Sequence, residues 1–172
     1  MGDYPCGPYG FAQGATIANL RFQGRRDDDH DGTAVNDAIR DIDLQEYVDR
    51  DGFRRALVIV IASETCVPCQ NEQPMLVDLN AHYAGAVAFL EGIVQGQAGM
   101  PATKQTIDAW AAQFGVPFDM TADPTGIFKP YYDASAFPAT IVVRTSDMQI
   151  KTVLAGNTGD LQPLLDSLVF AF

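Results

Sequence analysis

Two cysteines three positions apart, Cys66 and Cys69, are the residues of this chain best suited to chemistry. They follow an apolar run over residues 56–62, which is short and rich in β-branched side chains, as buried strands are. Residues 70–79 then carry apolar side chains at helical spacing, so the pair lies where a strand ends and a helix begins. The free N–H groups and the dipole of a helix N-terminus stabilise a thiolate, which lowers the pKa of the first cysteine.

Positions i and i+3 of a first helical turn face the same side and are close enough for a disulfide. We therefore expect Cys66 to be the exposed nucleophile and Cys69 the shielded thiol that resolves a mixed disulfide. The same spacing occurs in zinc sites and in structural disulfides. Zinc would require two further ligands, and the remaining sulfur and imidazole donors, Cys6, His30 and His82, are not at motif spacing.

The surrounding motif resembles that of the TlpA/ResA-type thiol–disulfide oxidoreductases of the thioredoxin superfamily. In that family a strand leads through Ala-Ser or Ala-Thr into Cys-x-Pro-Cys, followed by a Glu and then a Pro. The matching residues here are Ala62, Ser63, Cys66, Pro68, Cys69, Glu72 and Pro74. A second family landmark, a cis-proline before a strand, is matched by Phe137-Pro138 ahead of residues 139–143.

This resemblance implies an α/β, thioredoxin-like fold: a central mixed sheet flanked by helices, with an N-terminal extension strand and a TlpA-type helix–strand insertion. Residues 1–40 lie mostly outside the resemblance. We expect them to form an extension made of an extended lead-in, an edge strand near residues 17–22 and an Asp-rich loop. Residues 41–172 are expected to form the thioredoxin-like domain.

Hydrophobic periodicity supplies the elements that would position the cysteines. It predicts a buried strand over residues 86–94, in which Glu91 is an unusual charged residue, and an amphipathic helix over residues 102–114. Trp110 lies on the apolar stripe of that helix, which favours a place in the core. A terminal helix is predicted over residues 161–169, and Asp43 followed by Glu46 indicates a capped short helix.

The resemblance also implies an activity, the reduction of extracytoplasmic protein disulfides. Its partners would be protein thiols and disulfides and an upstream thiol donor, and neither an organic cofactor nor a metal is required. A cis bond at Phe137-Pro138 would present the backbone of Phe137 beside the sulfurs, where an extended substrate can pair as a strand does. Pro138, Phe137 and Thr65 would then shape the contact surface.

Several residues depart from the family pattern. Thr65 stands where a Trp is usual, and Glu64 adds a negative charge beside the nucleophile, which disfavours a thiolate. Val60 stands where thioredoxins have a buried Asp, so Glu72 becomes the candidate for proton exchange with Cys69. Glu72 is either a buried carboxyl with a raised pKa or an exposed first-turn residue that complements the helix dipole.

An acidic loop carries a weak signal for a cation site. Residues 27–32 read D-x-D-x-D-G, the opening of many calcium loops, in which Asp27, Asp29 and Asp31 would supply oxygen ligands. The twelfth position of such a loop would be Ala38 instead of a bidentate Glu. The alternative is a solvated surface turn, with no bound Ca²⁺.

Composition limits the partners further. The chain of 172 residues is long enough for one domain with a proper core. Its formal charge of −11 argues against nucleic acid and anionic membranes as partners. We find no apolar stretch of membrane-spanning length and no signal peptide before Tyr4, so an extracytoplasmic location is expected from the resemblance alone. Once Cys66 and Cys69 pair, Cys6 is left over as a free or intermolecularly paired thiol.

Two rival functions remain open. Peroxiredoxins, which reduce peroxides, place a Thr three residues before the reactive Cys and a Pro four before that Thr. Here those positions are Ser63 and Ile59, which argues against peroxide reduction. The other rival is a thioredoxin-fold binding module whose CxxC is only a stable disulfide.

Overall fold

The computed structural model describes residues 4–156, 159 and 161–170 of the chain. The strands are β1 (Arg21–Arg25), β2 (Arg40–Asp43), β3 (Ala56–Ser63), β4 (Val87–Gln95), β5 (Asp119–Ala122), β6 (Ala139–Arg144) and β7 (Gln149–Ala155). The α-helices are α1 (Val67–Tyr83), α2 (Lys104–Phe114) and α3 (Leu161–Val169), and three short 3₁₀ helices span Leu44–Tyr47, Gln97–Gly99 and Lys129–Tyr131. Among the described residues, every helix is too short or too polar to cross a bilayer.

All seven strands form one mixed sheet in the order β2-β1-β5-β4-β3-β6-β7. β3 lies near its centre, parallel to β4 and antiparallel to β6, and all eight of its residues are buried. Because both faces of β3 are covered, its side chains must be apolar on both faces. This explains the continuous apolar run from which the sequence predicted a buried strand. The mixed sheet and its helices confirm the thioredoxin-like α/β fold class.

The two faces of the sheet are covered differently. Val58, Val60 and Ala62 point to a core shared with side chains from all three α-helices. We call this the first core. Leu57 and Ile59, which alternate with these residues along β3, belong to a second core. That core is closed by the 3₁₀ helices Leu44–Tyr47 and Lys129–Tyr131 and by the N-terminal segment, through Ile17, Leu44, Tyr47, Phe128 and Tyr131.

The predicted edge strand near residues 17–22 is wrong in position. The strand is Arg21–Arg25, and it lies between β2 and β5 instead of at the edge. Before it, the chain crosses the sheet face: the backbone N–H of Ile17 donates to the Met148 carbonyl at 2.9 Å, beside β7. Residues 17–20 thus run along the sheet face, and the pairing of β1 with β2 begins only at Arg21.

The remaining predicted elements agree with the structure. The Asp43 backbone N–H donates to the Glu46 carboxylate at 3.1 Å, which confirms the predicted cap. The helix predicted after the cysteines begins earlier, at Val67, so that Cys69 lies inside it. β1 and β2 pair across the predicted boundary at residue 40, and the division into 1–40 and 41–172 stays a prediction.

All three α-helices contribute side chains to the first core, and a single substitution tests this packing. Leu76 on α1 is fully buried, so Leu76→Ala is expected to lower the free energy of unfolding by about 2–5 kcal/mol. The matched control is Asn71→Ala at an exposed position of the same helix, for which we expect a change within about 0.5 kcal/mol. Urea denaturation of the oxidised protein measures both, and equal effects would contradict the described packing.

Candidate active site

The two cysteines lie where β3 passes into α1. Cys66 is the N-cap residue of α1, and its sulfur accepts a hydrogen bond from the Cys69 backbone N–H at 3.2 Å. A disulfide joins Cys66 to Cys69, with the Cα atoms 5.2 Å apart. Cys66 is half-buried whereas Cys69 is fully buried. This difference is the arrangement expected for an accessible nucleophile and a shielded resolving thiol.

Backbone hydrogen bonds hold the loop that carries Cys66. Its N–H donates to the Ser63 carbonyl at 3.0 Å, and the Glu64 N–H donates to the Gln95 carbonyl of β4 at 2.9 Å. The side chain of Gln70 closes the loop by donating to the Glu64 carbonyl at 2.8 Å. Thr65, which lies between Glu64 and Cys66, is exposed and can be contacted by a bound molecule. Pro68, in the first turn of α1, is also exposed.

The proline loop comes to the same end of the sheet. The Phe137-Pro138 peptide bond is cis, which confirms the prediction. β6 begins directly afterwards at Ala139, which pairs with Ile61 near the end of β3. This register places Phe137 and Pro138 at the end of the sheet where β3 ends and the chain continues to Cys66. A cavity of about 270 Å³ borders Phe137 on the side of Val94 and Lys129.

Glu72 is buried, with 2% of its surface exposed. The alternative in which Glu72 is an exposed first-turn residue is therefore wrong. Its side chain lies in the interior one helical turn beyond Cys69. A role in proton exchange with Cys69 stays a prediction.

A second buried carboxyl, that of Glu91 on β4, was not assigned to the site from the sequence. It is fully buried and pairs in register with Val60 of β3. The Gln73 amide donates to one Glu91 oxygen at 2.8 Å, and the Trp110 indole N–H donates to the other at 3.1 Å. Burial raises the pKa of Glu91 to about 8, and the nearby charge of Glu72 adds to this rise while the two hydrogen bonds oppose it.

Gln73 links this carboxyl to the cysteines. Its amide nitrogen also donates to the backbone carbonyl of Cys69 at 3.2 Å. One side chain therefore joins Glu91 to the helical turn that carries the buried sulfur. Trp110 lies in the core, as predicted, but it is also a hydrogen-bond donor. The available sequence signal was a single charged residue within the apolar run of β4.

The acidic loop lies apart from the cysteines. Carboxylate oxygens of Asp27, Asp29 and Asp37 come within 4.8 Å of one another. Asp31 differs from its predicted role, because its carboxylate accepts from the Thr33 N–H at 3.0 Å and from Asn36 at 2.7 Å. Asp37 therefore takes the place of Asp31 in the cluster. Calcium binding by this loop stays a prediction.

The other zinc-ligand candidates do not form a metal site with the two cysteines. Over residues 4–156, 159 and 161–170, the acidic group is the cluster with metal-ligand geometry, and it contains no sulfur. His82 is exposed at the end of α1, with its ring 4.8 Å from that of Tyr83. Cys6 is an exposed free thiol.

Comparison with family models and with curated proteins returns no match. Solved structures do match over most of the chain. A DsbF homologue from Corynebacterium diphtheriae is 18% identical with a TM-score of 0.68, covering 90% of this chain and 87% of the other. A secreted thiol-disulfide isomerase from Corynebacterium glutamicum is 14% identical with a TM-score of 0.64, covering 90% and 83%.

A peroxiredoxin shares the same architecture. The reduced 2-Cys peroxiredoxin of Plasmodium vivax is 13% identical with a TM-score of 0.66, covering 94% of this chain and 98% of that one. These likenesses establish a thioredoxin-like fold. In this chain the CxxC disulfide lies at the start of α1.

The buried Glu91 makes stability depend on pH. The pKa of Glu91 is raised from its ordinary value of 4.5 to about 8, so between these values the unfolded chain loses a proton that the folded chain keeps. The free energy of unfolding is therefore expected to fall as pH rises through this window, by about 1.4 kcal/mol for each pH unit. Glu91→Gln should remove this slope, as measured by urea denaturation of the oxidised protein.

The control for this measurement is Asp147→Asn. A hydrogen bond from Arg144 holds the pKa of Asp147 below its usual range, so this carboxyl titrates below the window. The Asp147→Asn variant should keep the slope of the parent protein. If Glu91→Gln also kept it, the protonation assigned to Glu91 would be wrong.

Proposed function

We propose that the protein is a thiol–disulfide oxidoreductase that acts on protein disulfides through Cys66 and Cys69. The observation that carries this proposal is the bond between a half-buried Cys66 sulfur and a fully buried Cys69 at the first turn of α1. In the reduced protein, the Cys69 N–H and the helix dipole would stabilise a Cys66 thiolate. The oxidoreductases among the structural neighbours support the same activity.

The exchange has two steps. The Cys66 thiolate attacks a partner disulfide and forms a mixed disulfide, while one partner sulfur leaves as a thiolate and takes up a proton. Cys69 then loses its proton and attacks the Cys66 sulfur, so that the second partner thiolate leaves. The partner gains two electrons, the CxxC pair becomes a disulfide, and an upstream thiol donor restores the dithiol. This chemistry requires neither a metal nor an organic cofactor.

Protein substrates suit the surface around Cys66. Val67 beside it is 60% exposed, and Thr65 and Pro68 are exposed as well. Phe137 precedes the buried Pro138 at the same end of the sheet. An extended segment of a partner would lie along the Phe137 backbone and bring its disulfide to Cys66.

An extracytoplasmic location fits this proposal. One neighbour is described as a secreted enzyme. Disulfides persist in oxidising compartments, which is where partners with exchangeable disulfides occur.

The proposal is tested by reduction of insulin with dithiothreitol as the thiol donor. Cys66→Ser is expected to lower the turnover to the uncatalysed rate, because the attacking sulfur is lost. Cys69→Ser should instead accumulate a mixed disulfide with the partner, visible by non-reducing electrophoresis. Cys6→Ser, which removes the exposed free thiol, is the control and should keep the parent activity.

The same set of variants separates the rival functions. Equal insulin turnover by the parent and Cys66→Ser would leave the binding module with a structural disulfide. A peroxidase assay with a thiol donor addresses the peroxiredoxin-like alternative. We expect no peroxide consumption above the uncatalysed rate, because Ser63 and Ile59 replace the Thr and Pro of that family.

A further inference from the structure

Three side chains form a buried group that contacts the backbone of Cys69, which we call the Glu91 clasp: Glu91 from β4, Gln73 from α1 and Trp110 from α2. Gln73 and Glu91 are fully buried, and Trp110 is 1% exposed. Both carboxylate oxygens of Glu91 accept a hydrogen bond within the clasp, at 2.8 Å and 3.1 Å. Three separate elements of the fold therefore converge on one carboxyl.

Burial of an ionisable group on a central strand is costly unless the group stays neutral or its charge is paired and hydrogen-bonded. Glu91 has apolar neighbours in register on both sides, Val60 on β3 and Met120 on β5. On α1 the charged group that acts on it is Glu72, and α2 presents the neutral indole of Trp110. The clasp thus contains one titratable group under strong desolvation, with one like charge nearby.

The clasp is connected to the reaction through Gln73. The same amide nitrogen that donates to Glu91 donates to the Cys69 carbonyl at 3.2 Å. Cys69 is the sulfur with no exposed surface, so its proton leaves in a low-dielectric environment. A charge at Glu91 would therefore act on Cys69 with little screening by water.

We propose that Glu91 is a positioning residue of the thiol–disulfide exchange, whose charge state controls how readily Cys69 gives up its proton to resolve the mixed disulfide. This inference rests on the proposed function. Neutral Glu91 permits a Cys69 thiolate, whereas ionised Glu91 repels it and keeps the proton on sulfur. Because the pKa of Glu91 lies at about 8, the change falls within the range in which thiols titrate.

The step itself is balanced without Glu91 being consumed. Cys69 releases its proton to solvent or to the departing partner thiolate, and its sulfur forms a bond to the Cys66 sulfur. The bond from Cys66 to the partner breaks, and the partner sulfur leaves with the electron pair. Glu91 alters only the energy of the Cys69 thiolate that precedes this attack.

The experiment follows the resolving step by itself, in a Cys6→Ser background that removes the exposed free thiol. Reduced protein is mixed in a stopped-flow instrument with dithiobis-nitrobenzoate, which releases one coloured thiolate when Cys66 attacks and a second when Cys69 resolves. The second phase is measured from about pH 6 to about pH 9.5, on either side of the range in which Glu91 titrates.

Glu91→Gln is expected to match the parent rate at the acidic end and to exceed it by about threefold at the alkaline end. Without the charge of Glu91 a larger fraction of Cys69 is thiolate at the alkaline end, and the lower nucleophilicity of a more acidic thiol offsets part of this gain. Structural damage alone would lower the rate at every pH. A ratio of rates that does not change with pH would overturn the proposal.

Trp110→Phe provides a second, independent variant. It removes a hydrogen bond that lowers the pKa of Glu91 while keeping an aromatic ring in the core. The pH above which ionised Glu91 slows the second phase should therefore be higher than in the parent protein. An unchanged pH profile in this variant would also contradict the proposal.

Asp119→Asn is the matched control, because Asp119 is a buried carboxyl of β5 that accepts its hydrogen bond from Tyr47 at 2.6 Å. Its second phase should follow the pH profile of the parent. Absence of a second phase in every protein, including the parent, would reject the exchange chemistry itself. Loss of the pH-dependent difference alone would reject only the role of Glu91.

Discussion

Complete burial of β3 is the constraint on which the site depends. With strands paired on both sides and side chains packed on both faces, the chain leaves β3 at one end and turns directly into α1. Cys66 is the capping residue of that turn, and its sulfur meets the N–H of Cys69. The exposure of one sulfur and the shielding of the other follow from this placement. The placement of the cysteine pair is therefore a product of the sheet as much as of the CxxC motif.

The same packing explains why two carboxyls belong to the interior behind the sulfurs. Glu72 faces inward because α1 lies against the sheet, and Glu91 lies there because β4 pairs beside β3. Water is largely excluded, so each charge state influences its neighbours more strongly than it would at the surface. Hydrogen bonds from Gln73 and Trp110 allow Glu91 to be accommodated without a counter-charge. The proposed effect of Glu91 on Cys69 depends on this exclusion of water.

Local signals in the sequence were sufficient to predict much of the fold and the position of the cysteine pair. The apolar run of β3, the cap formed by Asp43 and Glu46, the cysteine spacing and the proline before β6 each depend on a few adjacent residues. The strand near residues 17–22 was misplaced because an alternation of apolar residues in the sequence arises equally when a chain crosses a sheet face. The burial of Glu72 and the position of Glu91 against Gln73 depend on helix packing and strand register, which local patterns do not encode. Glu91 was visible only as a charge in an apolar run.

A redox titration of the Cys66–Cys69 pair tests most directly whether this disulfide exchanges in the folded protein. Protein equilibrated in glutathione or dithiothreitol buffers of graded potential is quenched with an alkylating agent, and the fraction of dithiol is determined by mass while circular dichroism follows the fold. We expect a single two-electron transition between disulfide and dithiol in which the fold is retained. A disulfide that becomes reducible only when the protein unfolds would contradict the proposed exchange chemistry.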